Sequence, residues 1–292
     1  MFDHNETLEE ARARNIIEAL REDIGVADWT AQLTPAGQRV RAQLRVREAA
    51  VCAGQPWFNG VVAALDPSAT LNWHVAEGAD MQADTVICTI DADGRALLSA
   101  ERPALNFLQT LSAVATLTRQ HVKAIEGASP NPKGCAILDT RKTLPGLRLA
   151  QKYAVRVGGG ANQRLALYDG ILIKENHIAA AGGVTPALRA AEALKAGVGI
   201  QIEVETLDQL DEALQADATS LLLDNFTLDA MREAVRRNAG HHGGRALLEA
   251  SGGITLEALR AIAATGVDRI SIGKLTKDVR AVDYSLRVLG PV

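Results

Sequence analysis

The chain has 292 residues, 47% of them apolar, and a formal net charge of −4, which suits one large domain or two smaller ones. A mildly acidic chain with 3% aromatic residues does not fit nucleic-acid binding, and no apolar run approaches the roughly 18 residues of a membrane helix. The three cysteines lack metal-ligand spacing, and the polar, acidic start does not have the pattern of a signal peptide. We therefore expect a cytoplasmic protein without nucleic-acid or membrane partners.

The first part of the chain has an α+β pattern. Apolar residues at helical spacing predict an amphipathic helix over 6–24, and the run 39–51 alternates between apolar and polar residues as a half-buried strand does. The other predicted elements are a short helix over 57–65, strands over 70–75, 85–90 and 95–98, and a long helix over 101–126 with Pro103 in its first turn.

From Cys135 onward, short apolar runs alternate with amphipathic helical segments. Six runs have the pattern of buried strands: CAILDT, ILIKEN, IQIEVE, SLLLDN, ALLEAS and RISIGK. Helices are predicted over 186–196, 207–216, 228–238 and 256–265. Such a repeat gives either a doubly wound sheet or a β/α barrel. Nearly every run ends in a polar or charged residue, which favours the barrel, because its strand ends meet at one mouth.

The fold class expected is therefore α/β, with an open six- or seven-stranded β/α barrel and an N-terminal α+β sandwich domain. We expect the first domain to span residues 1–113, completed by the C-terminal segment 279–292, and the barrel to span 114–278. His241 and His242, in a glycine-rich loop, are expected at the surface.

The stretch from Asp139 to His177 contains seven basic residues and three acidic ones, in a chain that is acidic overall. Arginine binds carboxylates and phosphates through a planar fork, and lysine binds them as a point charge. The stretch therefore predicts a local pocket for a small, multiply anionic substrate.

Two further patterns point to phosphate chemistry. Glu203 and Asp224, at separate predicted strand ends, could hold Mg²⁺ together with a substrate phosphate; the alternative is that they are strand-end caps or ion pairs. Ser251, Gly252 and Gly253 follow a predicted strand and precede a predicted helix, so their backbone N–H groups could bind an anion, as could the turn at Gly273. The alternative for the Ser-Gly-Gly run is a simple helix-capping turn.

The run DTRKTLPGLRLAQKYAV, with GGGANQRLALYD, LIKENH, IEVET, LLLDN, EASGGI and ISIGKLTKD, resembles quinolinate phosphoribosyltransferase (nicotinate-nucleotide pyrophosphorylase, carboxylating), a type II phosphoribosyltransferase family. REDIG and ERPALNFLQTLSAVATLT, earlier in the chain, resemble the same family, so the resemblance spans nearly the whole sequence in order. It implies transfer of phosphoribose from phosphoribosyl pyrophosphate (PRPP) to quinolinate with loss of CO₂ and pyrophosphate, giving nicotinate mononucleotide for NAD synthesis. It also implies Mg²⁺ as cofactor and a homodimer, or a hexamer, with sites shared between subunits.

The resemblance assigns roles to particular residues. Arg141 and Arg164 would hold the quinolinate carboxylates, with Arg102 reaching in from the neighbouring subunit. Lys142 and Lys174 would contact pyrophosphate or both substrates. The remaining assignments place Glu203 and Asp224 on the ribose hydroxyls or Mg²⁺, and Ser251, Gly252, Gly253 and Gly273 around the 5′-phosphate.

One position departs from the family pattern. The family segment usually reads Asn-His-Arg, whereas this chain has Asn162-Gln163-Arg164, and glutamine cannot carry the charge of that histidine in the quinolinate pocket. A paralogue that transfers phosphoribose to another acid is therefore an alternative. A third hypothesis, a catalytically silent ligand-binding subunit, would require loss of the strand-end charges, nearly all of which are present.

Overall fold

Residues 3–241 and 246–292 are described by a computed structural model of the chain, so His242 lies outside the described residues. The chain forms two units, one of Met1–Arg119, Thr143–Gly159 and Lys274–Val292, the other of Gln120–Lys142 and Gly160–Gly273. No helix in the described part of the chain combines the length and apolar content that crossing a bilayer requires.

The strands and helices are numbered in chain order. The strands are β1 (Arg39–Val46), β2 (Ala50–Val51), β3 (Thr70–Trp73), β4 (Asp80–Met81), β5 (Thr85–Asp93), β6 (Ala136–Leu138), β7 (Gly170–Ile173), β8 (Gly199–Val204), β9 (Ser220–Asp224), β10 (Leu247–Ser251), β11 (Arg269–Ser271) and β12 (Tyr284–Pro291). The helices are α1 (Leu8–Ile24), α2 (Gln55–Leu65), α3 (Gly94–Ile125), α4 (Arg148–Val157), α5 (Glu175–Ala181), α6 (Val184–Ala193), α7 (Leu207–Gln215), α8 (Leu228–Ala239), α9 (Leu259–Ala263) and α10 (Lys274–Lys277). Ala31–Leu33 is a short 3₁₀ helix.

The first unit is built on an antiparallel sheet in the order β12-β1-β5-β3. The alternation predicted for the first strand is confirmed, because Val40, Ala42, Leu44 and Val46 are all buried. β12 pairs antiparallel with β1 along its length, so the C-terminal segment completes this sheet.

The start of α3 differs from the prediction. The expected strand over 95–98 is wrong, because these residues lie in α3, which begins at Gly94. An Asp93 carboxylate oxygen accepts from the Ala96 backbone N–H at 3.0 Å, as a helix-capping residue does, and this cap starts the helix early. Pro103 therefore lies inside α3 and not in its first turn.

The segment 143–159, which we expected in the barrel, belongs to the first unit. It contains α4, whose buried face of Ala150, Ala154 and Val155 is part of the same hydrophobic core as Trp57. The Tyr153 ring lies 5.2 Å from the Trp57 ring, a tilted aromatic contact that ties α4 to α2.

The second unit confirms the predicted barrel-type sheet. All six apolar runs form strands, and these pair in parallel in the order β6-β11-β10-β9-β8-β7. β6 and β7, the first two strands of the second unit along the chain, are therefore the two edges of an open barrel. A single parallel bridge between Leu138 and Ala161 lies beside the β6 edge.

Candidate active site

The carboxyl ends of the barrel strands surround one cavity of about 330 Å³. Its walls are formed by Thr140, Arg141, Lys142, Gln163, Arg164, Leu172, Lys174, Glu203, Leu222, Glu249, Ser251 and Ser271. Several of these residues are two positions apart, such as Glu249 and Ser251, because alternate residues of a strand face the same side. The sequence prediction that polar strand ends converge is thus confirmed in the geometry of this cavity.

Two arginines line the cavity close to each other. Burial lowers the pKa of the Arg164 guanidinium, and the nearby positive charge of Arg141 lowers this pKa further. Asp169 opposes the shift, and Arg164 Nη1 donates to the Gly170 carbonyl at 2.9 Å. Two guanidinium groups that line one partly buried cavity and repel each other favour a ligand with two negative charges, because each negative charge relieves their repulsion.

The segment that contains Gln163 is held in place by hydrogen bonds to a buried carboxylate. Asp139, fully buried, follows β6. One of its oxygens accepts from the Asn162 side-chain amide at 2.6 Å, and the other accepts from the Gln163 backbone N–H at 3.0 Å. These bonds fix where Gln163 and Arg164 enter the cavity.

Lys174 and Glu203 place a positive and a negative charge close together in the site. Lys174 Nζ lies 3.7 Å from a Glu203 carboxylate oxygen. Burial raises the pKa of Glu203, Lys174 counteracts that rise, and the negative charge of Asp224 reinforces it. The backbone N–H of Lys174 donates to His177 Nδ1 at 3.0 Å, so this histidine serves the start of α5.

The predicted metal position has oxygen donors of the right kind but few of them. Glu203 lies in β8, and Asp224 ends the neighbouring strand β9, with Val204 paired to Leu223 between them. Among residues 3–241 and 246–292, no group of three or more His, Cys, Asp or Glu side chains could hold a metal ion. Two carboxylates fit Mg²⁺ only if substrate oxygens and water complete its coordination.

The glycine turn after β10 is shaped by its neighbour Asn225. A Cβ atom at Gly252 would lie 2.1 Å from Asn225 Oδ1, whereas a Cβ at Gly253 would meet nothing within 4 Å. The Asn225 backbone N–H donates to the Ser251 carbonyl at 3.1 Å. The helix expected from residue 256 begins only at Leu259, so the turn does not open directly into a helix N-terminus.

Gly273 allows Lys142 to lie close to the end of β11. A Cβ atom at Gly273 would lie 3.0 Å from Lys142 Cδ and 3.5 Å from Thr140 Oγ1. The Lys142 backbone N–H donates to Thr140 Oγ1 at 3.1 Å, which holds the turn that carries the lysine. The absence of a side chain at Gly273 therefore makes room for the stem of Lys142.

The predicted site residues are distributed as follows. Seven of them line the cavity: Arg141, Lys142, Gln163, Arg164, Lys174, Glu203 and Ser251. Asp224 acts on Glu203 electrostatically, and Gly252, Gly253 and Gly273 lie in the turns that follow β10 and β11. Arg102 is exposed on α3 in the first unit.

Sequence reasoning assigned no role to two polar residues on the inner face of the barrel, Gln201 and Glu249. Gln201 is two positions before Glu203 in β8, and Glu249 is two positions before Ser251 in β10. Since alternate strand residues share a face, the period of two would have placed both on the inner face of the barrel.

A β/α barrel whose strand ends bring arginines, lysines and carboxylates around one cavity defines an enzyme that acts on multiply anionic small molecules. Models of the quinolinate phosphoribosyl transferase N-terminal and C-terminal domains match residues 28–112 and 114–287. The chain belongs to the quinolinate phosphoribosyltransferase family.

Named relatives agree with this assignment over nearly the whole chain. The chain is 41% identical to the nicotinate-nucleotide pyrophosphorylase (carboxylating) of Mycobacterium leprae, covering 95% of this chain and 97% of that protein. It is 40% identical to a probable enzyme of the same name from Bacillus subtilis, covering 91% and 90%. The structure of the nicotinate-nucleotide pyrophosphorylase from Francisella tularensis superposes with a TM-score of 0.88 at 39% identity, covering 97% and 98%.

Proposed function

We propose that this enzyme transfers phosphoribose from PRPP to quinolinate and releases pyrophosphate and CO₂, giving nicotinate mononucleotide for NAD synthesis. The observation that carries the proposal is the adjacent pair Arg141 and Arg164 in the cavity wall. Quinolinate has two carboxylates on neighbouring ring carbons, which match two neighbouring guanidinium groups. Held there, the ring nitrogen is aimed at the sugar, which converts a collision into a positioned attack.

The other charges of the cavity suit the second substrate. Displacement of pyrophosphate from the anomeric carbon develops positive charge on the sugar and negative charge on the leaving group. In our proposal Lys142 and Lys174 hold the pyrophosphate, and their charge is worth most as the leaving group departs. Ser251, Gly252, Gly253 and Gly273 surround the 5′-phosphate with backbone N–H groups, which two of the glycines allow by lacking a Cβ.

Glu203 and Asp224 are proposed to bind the ribose hydroxyls and the Mg²⁺ that accompanies PRPP. When bound, Mg²⁺ would neutralise charge on the pyrophosphate. The two carboxylates suit this role because Mg²⁺ commonly takes one or two carboxylates in company with substrate phosphates. Lys174, 3.7 Å from Glu203, would then be shared between the carboxylate and the substrate.

The test is turnover of quinolinate with PRPP and Mg²⁺, with nicotinate mononucleotide and CO₂ measured in parallel. Equal amounts of both products are expected, with loss of both in Arg141→Ala. PRPP binding without any product would refute the proposed reaction. Gln163 favours one alternative, a different aromatic acid as acceptor, and turnover of nicotinate or another pyridine acid in place of quinolinate would support it.

We also propose a homodimer, or a hexamer built from dimers, in which Arg102 of one subunit completes the site of the other. This rests on the resemblance and on the exposure of Arg102 on α3. Mixing inactive Arg102→Ala and Arg141→Ala variants should restore about a quarter of the activity, because half of the re-formed dimers then have one intact site. The matched control, Lys142→Ala mixed with Arg141→Ala, should restore none, and equal behaviour of the two mixtures would exclude sharing through Arg102.

A cytoplasmic location is proposed from the thiols. Cys52, Cys88 and Cys135 are free, and burial raises the pKa of each thiol to about 12. Three cysteines that form no disulfide suit a reducing compartment, where disulfides are rare. Detection of the enzyme with a cytoplasmic marker after cell fractionation is the expected result, and recovery with secreted proteins would overturn it.

A further inference from the structure

Three polar side chains form a hydrogen-bonded row at the base of the cavity: Gln163, Gln201 and Glu249. Gln163 Nε2 lies 2.9 Å from Gln201 Oε1, and Gln201 Nε2 lies 2.9 Å from a Glu249 carboxylate oxygen. Glu249 is 1% exposed and Gln201 is 7% exposed, so these two side chains are buried, whereas Gln163 is partly exposed. We call the three residues the amide relay.

The direction of every bond in the amide relay follows from its buried end. An ionised carboxylate only accepts hydrogen bonds, so Gln201 must turn its NH₂ group toward Glu249. The Gln201 carbonyl oxygen then faces Gln163, and Gln163 must donate to it. Arg269 Nε lies 3.5 Å from the same Glu249 oxygen, so a guanidinium charge faces the carboxylate end of the row.

The amide relay also separates two spaces inside the barrel. Glu249 lines the site cavity, whereas Gln201 lines a second cavity of about 410 Å³ at the amino ends of the strands. Gln163 lines both cavities. Its side chain therefore lies at the base of the site, where the hydrogen bond to Gln201 fixes the orientation of its amide.

Glu249 has a second oxygen whose position is informative. Within residues 3–241 and 246–292, Glu249 Oε1 has no hydrogen-bond partner. A buried carboxylate oxygen without a donor lowers stability. The benefit that offsets this cost is the fixed acceptor that Glu249 provides for Gln201.

We propose that Glu249 is a positioning residue for acceptor specificity: through Gln201 it fixes the amide of Gln163 in one orientation, and so sets which of its hydrogen-bonding groups faces the acceptor substrate. This inference rests on the proposed function insofar as Gln163 contacts quinolinate. It gives the glutamine, which stands where the family usually has histidine, a defined set of hydrogen-bonding groups despite its lack of charge.

A double-mutant cycle tests the proposal. Glu249→Gln is nearly isosteric but can donate as well as accept, so the direction of the relay is no longer fixed. In the otherwise native enzyme it should raise the quinolinate KM about tenfold, as expected for a coupled pair in one hydrogen-bond network, with the PRPP KM unchanged. In a Gln163→Ala background the same substitution should change the quinolinate KM by less than about twofold. Equal effects in both backgrounds would overturn the proposal.

A rescue variant separates positioning from a general structural role. Combining Gln201→Glu with Glu249→Gln places the carboxylate in the middle of the row, where it accepts from both neighbours. Gln163 then still donates, so the native quinolinate KM should return. A double variant no better than Glu249→Gln alone contradicts the proposal.

A measurement without substrate keeps this inference distinct from the proposed function. The side-chain amide resonances of Gln163, identified by their loss in Gln163→Ala, should shift in Glu249→Gln and return in the rescue variant. If the native enzyme fails to bind quinolinate, the proposed acceptor is wrong while these shifts still report the relay. If quinolinate binds and the resonances do not respond to Glu249→Gln, the relay is wrong and the proposed function stands.

Discussion

One arginine in each unit of this protein shows the contrast: the pKa of Arg41 is raised by its surroundings, and the pKa of Arg164 is lowered. In the first unit, Arg41 on β1 donates two hydrogen bonds of 2.7 Å to the carboxylate of Asp91, and this partner raises the pKa of the guanidinium. In the second unit, burial and the charge of Arg141 lower the pKa of Arg164. Arg41 is thus paired with the opposite charge of Asp91, whereas Arg164 lies near the like charge of Arg141.

The difference separates structural charge from functional charge. A guanidinium that already has a bidentate carboxylate partner has little to gain from a ligand. A guanidinium beside another one lowers the stability of the free protein and gains when an anion arrives. Ionisable groups whose pKa values are shifted by unfavourable surroundings concentrate at functional sites.

The largest difference is expected when one arginine is removed from each unit. Arg141→Ala should lower kcat/KM for quinolinate by about 10²–10³-fold, because a buried charge contact to the substrate is lost. Arg41→Ala should leave kcat/KM unchanged and shift Tm by less than about 2 °C, since an exposed ion pair contributes little. Steady-state kinetics and thermal unfolding of both variants check this, and a similar loss of activity in Arg41→Ala would remove the distinction.

The acidic residue Glu203 should make both activity and stability depend on pH. Its pKa is raised above the usual 4.5 by burial and by Asp224, so activity that needs the ionised form should fall as pH drops through this raised value. Glu203→Gln should lower kcat about 10²-fold. A carboxyl with a raised folded-state pKa contributes stability below its unfolded pKa and loses that contribution as pH rises through the folded pKa. The variant should therefore have a higher Tm than the native enzyme near pH 7 and no advantage near pH 4.

Glu205→Gln is the matched control for that pH experiment, because Glu205 is an exposed carboxylate on the same strand end. Its kcat should remain that of the native enzyme, and its acidic limb should move only slightly to lower pH, because the charge of Glu205 is the smallest of the effects that raise the pKa of Glu203. An acidic limb that persists unchanged in Glu203→Gln would assign the titration to another group.

A smaller effect is expected from substitutions at Gly252 and Gly253, which test how tightly the backbone of the turn after β10 is constrained. Gly252 has φ +103° and no room for a Cβ beside Asn225, so Gly252→Ala should destabilise by about 1–3 kcal/mol and weaken PRPP binding. Gly253 has φ +49° and open space, so Gly253→Ala should cost about 1 kcal/mol or less. Chemical denaturation and PRPP titration measure both, and the reverse order of the two costs would show that the turn is misassigned.

Much of the second unit could be predicted from sequence because its local patterns agree with its fold. The six apolar runs are bounded by charged or glycine residues, and each became a parallel strand. The strand ends then had to meet, which brought Arg141, Lys174 and Glu203 into one cavity. Their convergence is a property of barrel geometry, so no contact had to be known in advance.

The errors arose where local pattern and tertiary contact disagree. The apolar residues of 95–98 fit a strand, but the Asp93 cap started a helix there. Segment 143–159 lies in sequence between two barrel strands, yet the buried face of α4 belongs to the core of the first unit. The amide relay was not predicted, because Gln201 is uncharged and lies within β8, and because its contact with Glu249 joins two strands that are not neighbours in the sheet.

The edge of β6 has a consequence for aggregation. An open barrel leaves unpaired backbone groups on its edge strands, and such edges are templates for pairing with another chain. Here the Ala161 backbone N–H donates to the Ile137 carbonyl at 2.8 Å, and the Ala161 carbonyl accepts from the Asp139 backbone N–H at 3.3 Å. The backbone of Ala161 thus occupies two hydrogen-bonding groups on the open edge of β6 that a strand of another molecule could otherwise pair with. In this way the open barrel blocks edge-to-edge association at β6 with a stretch of chain that is too short to be a strand.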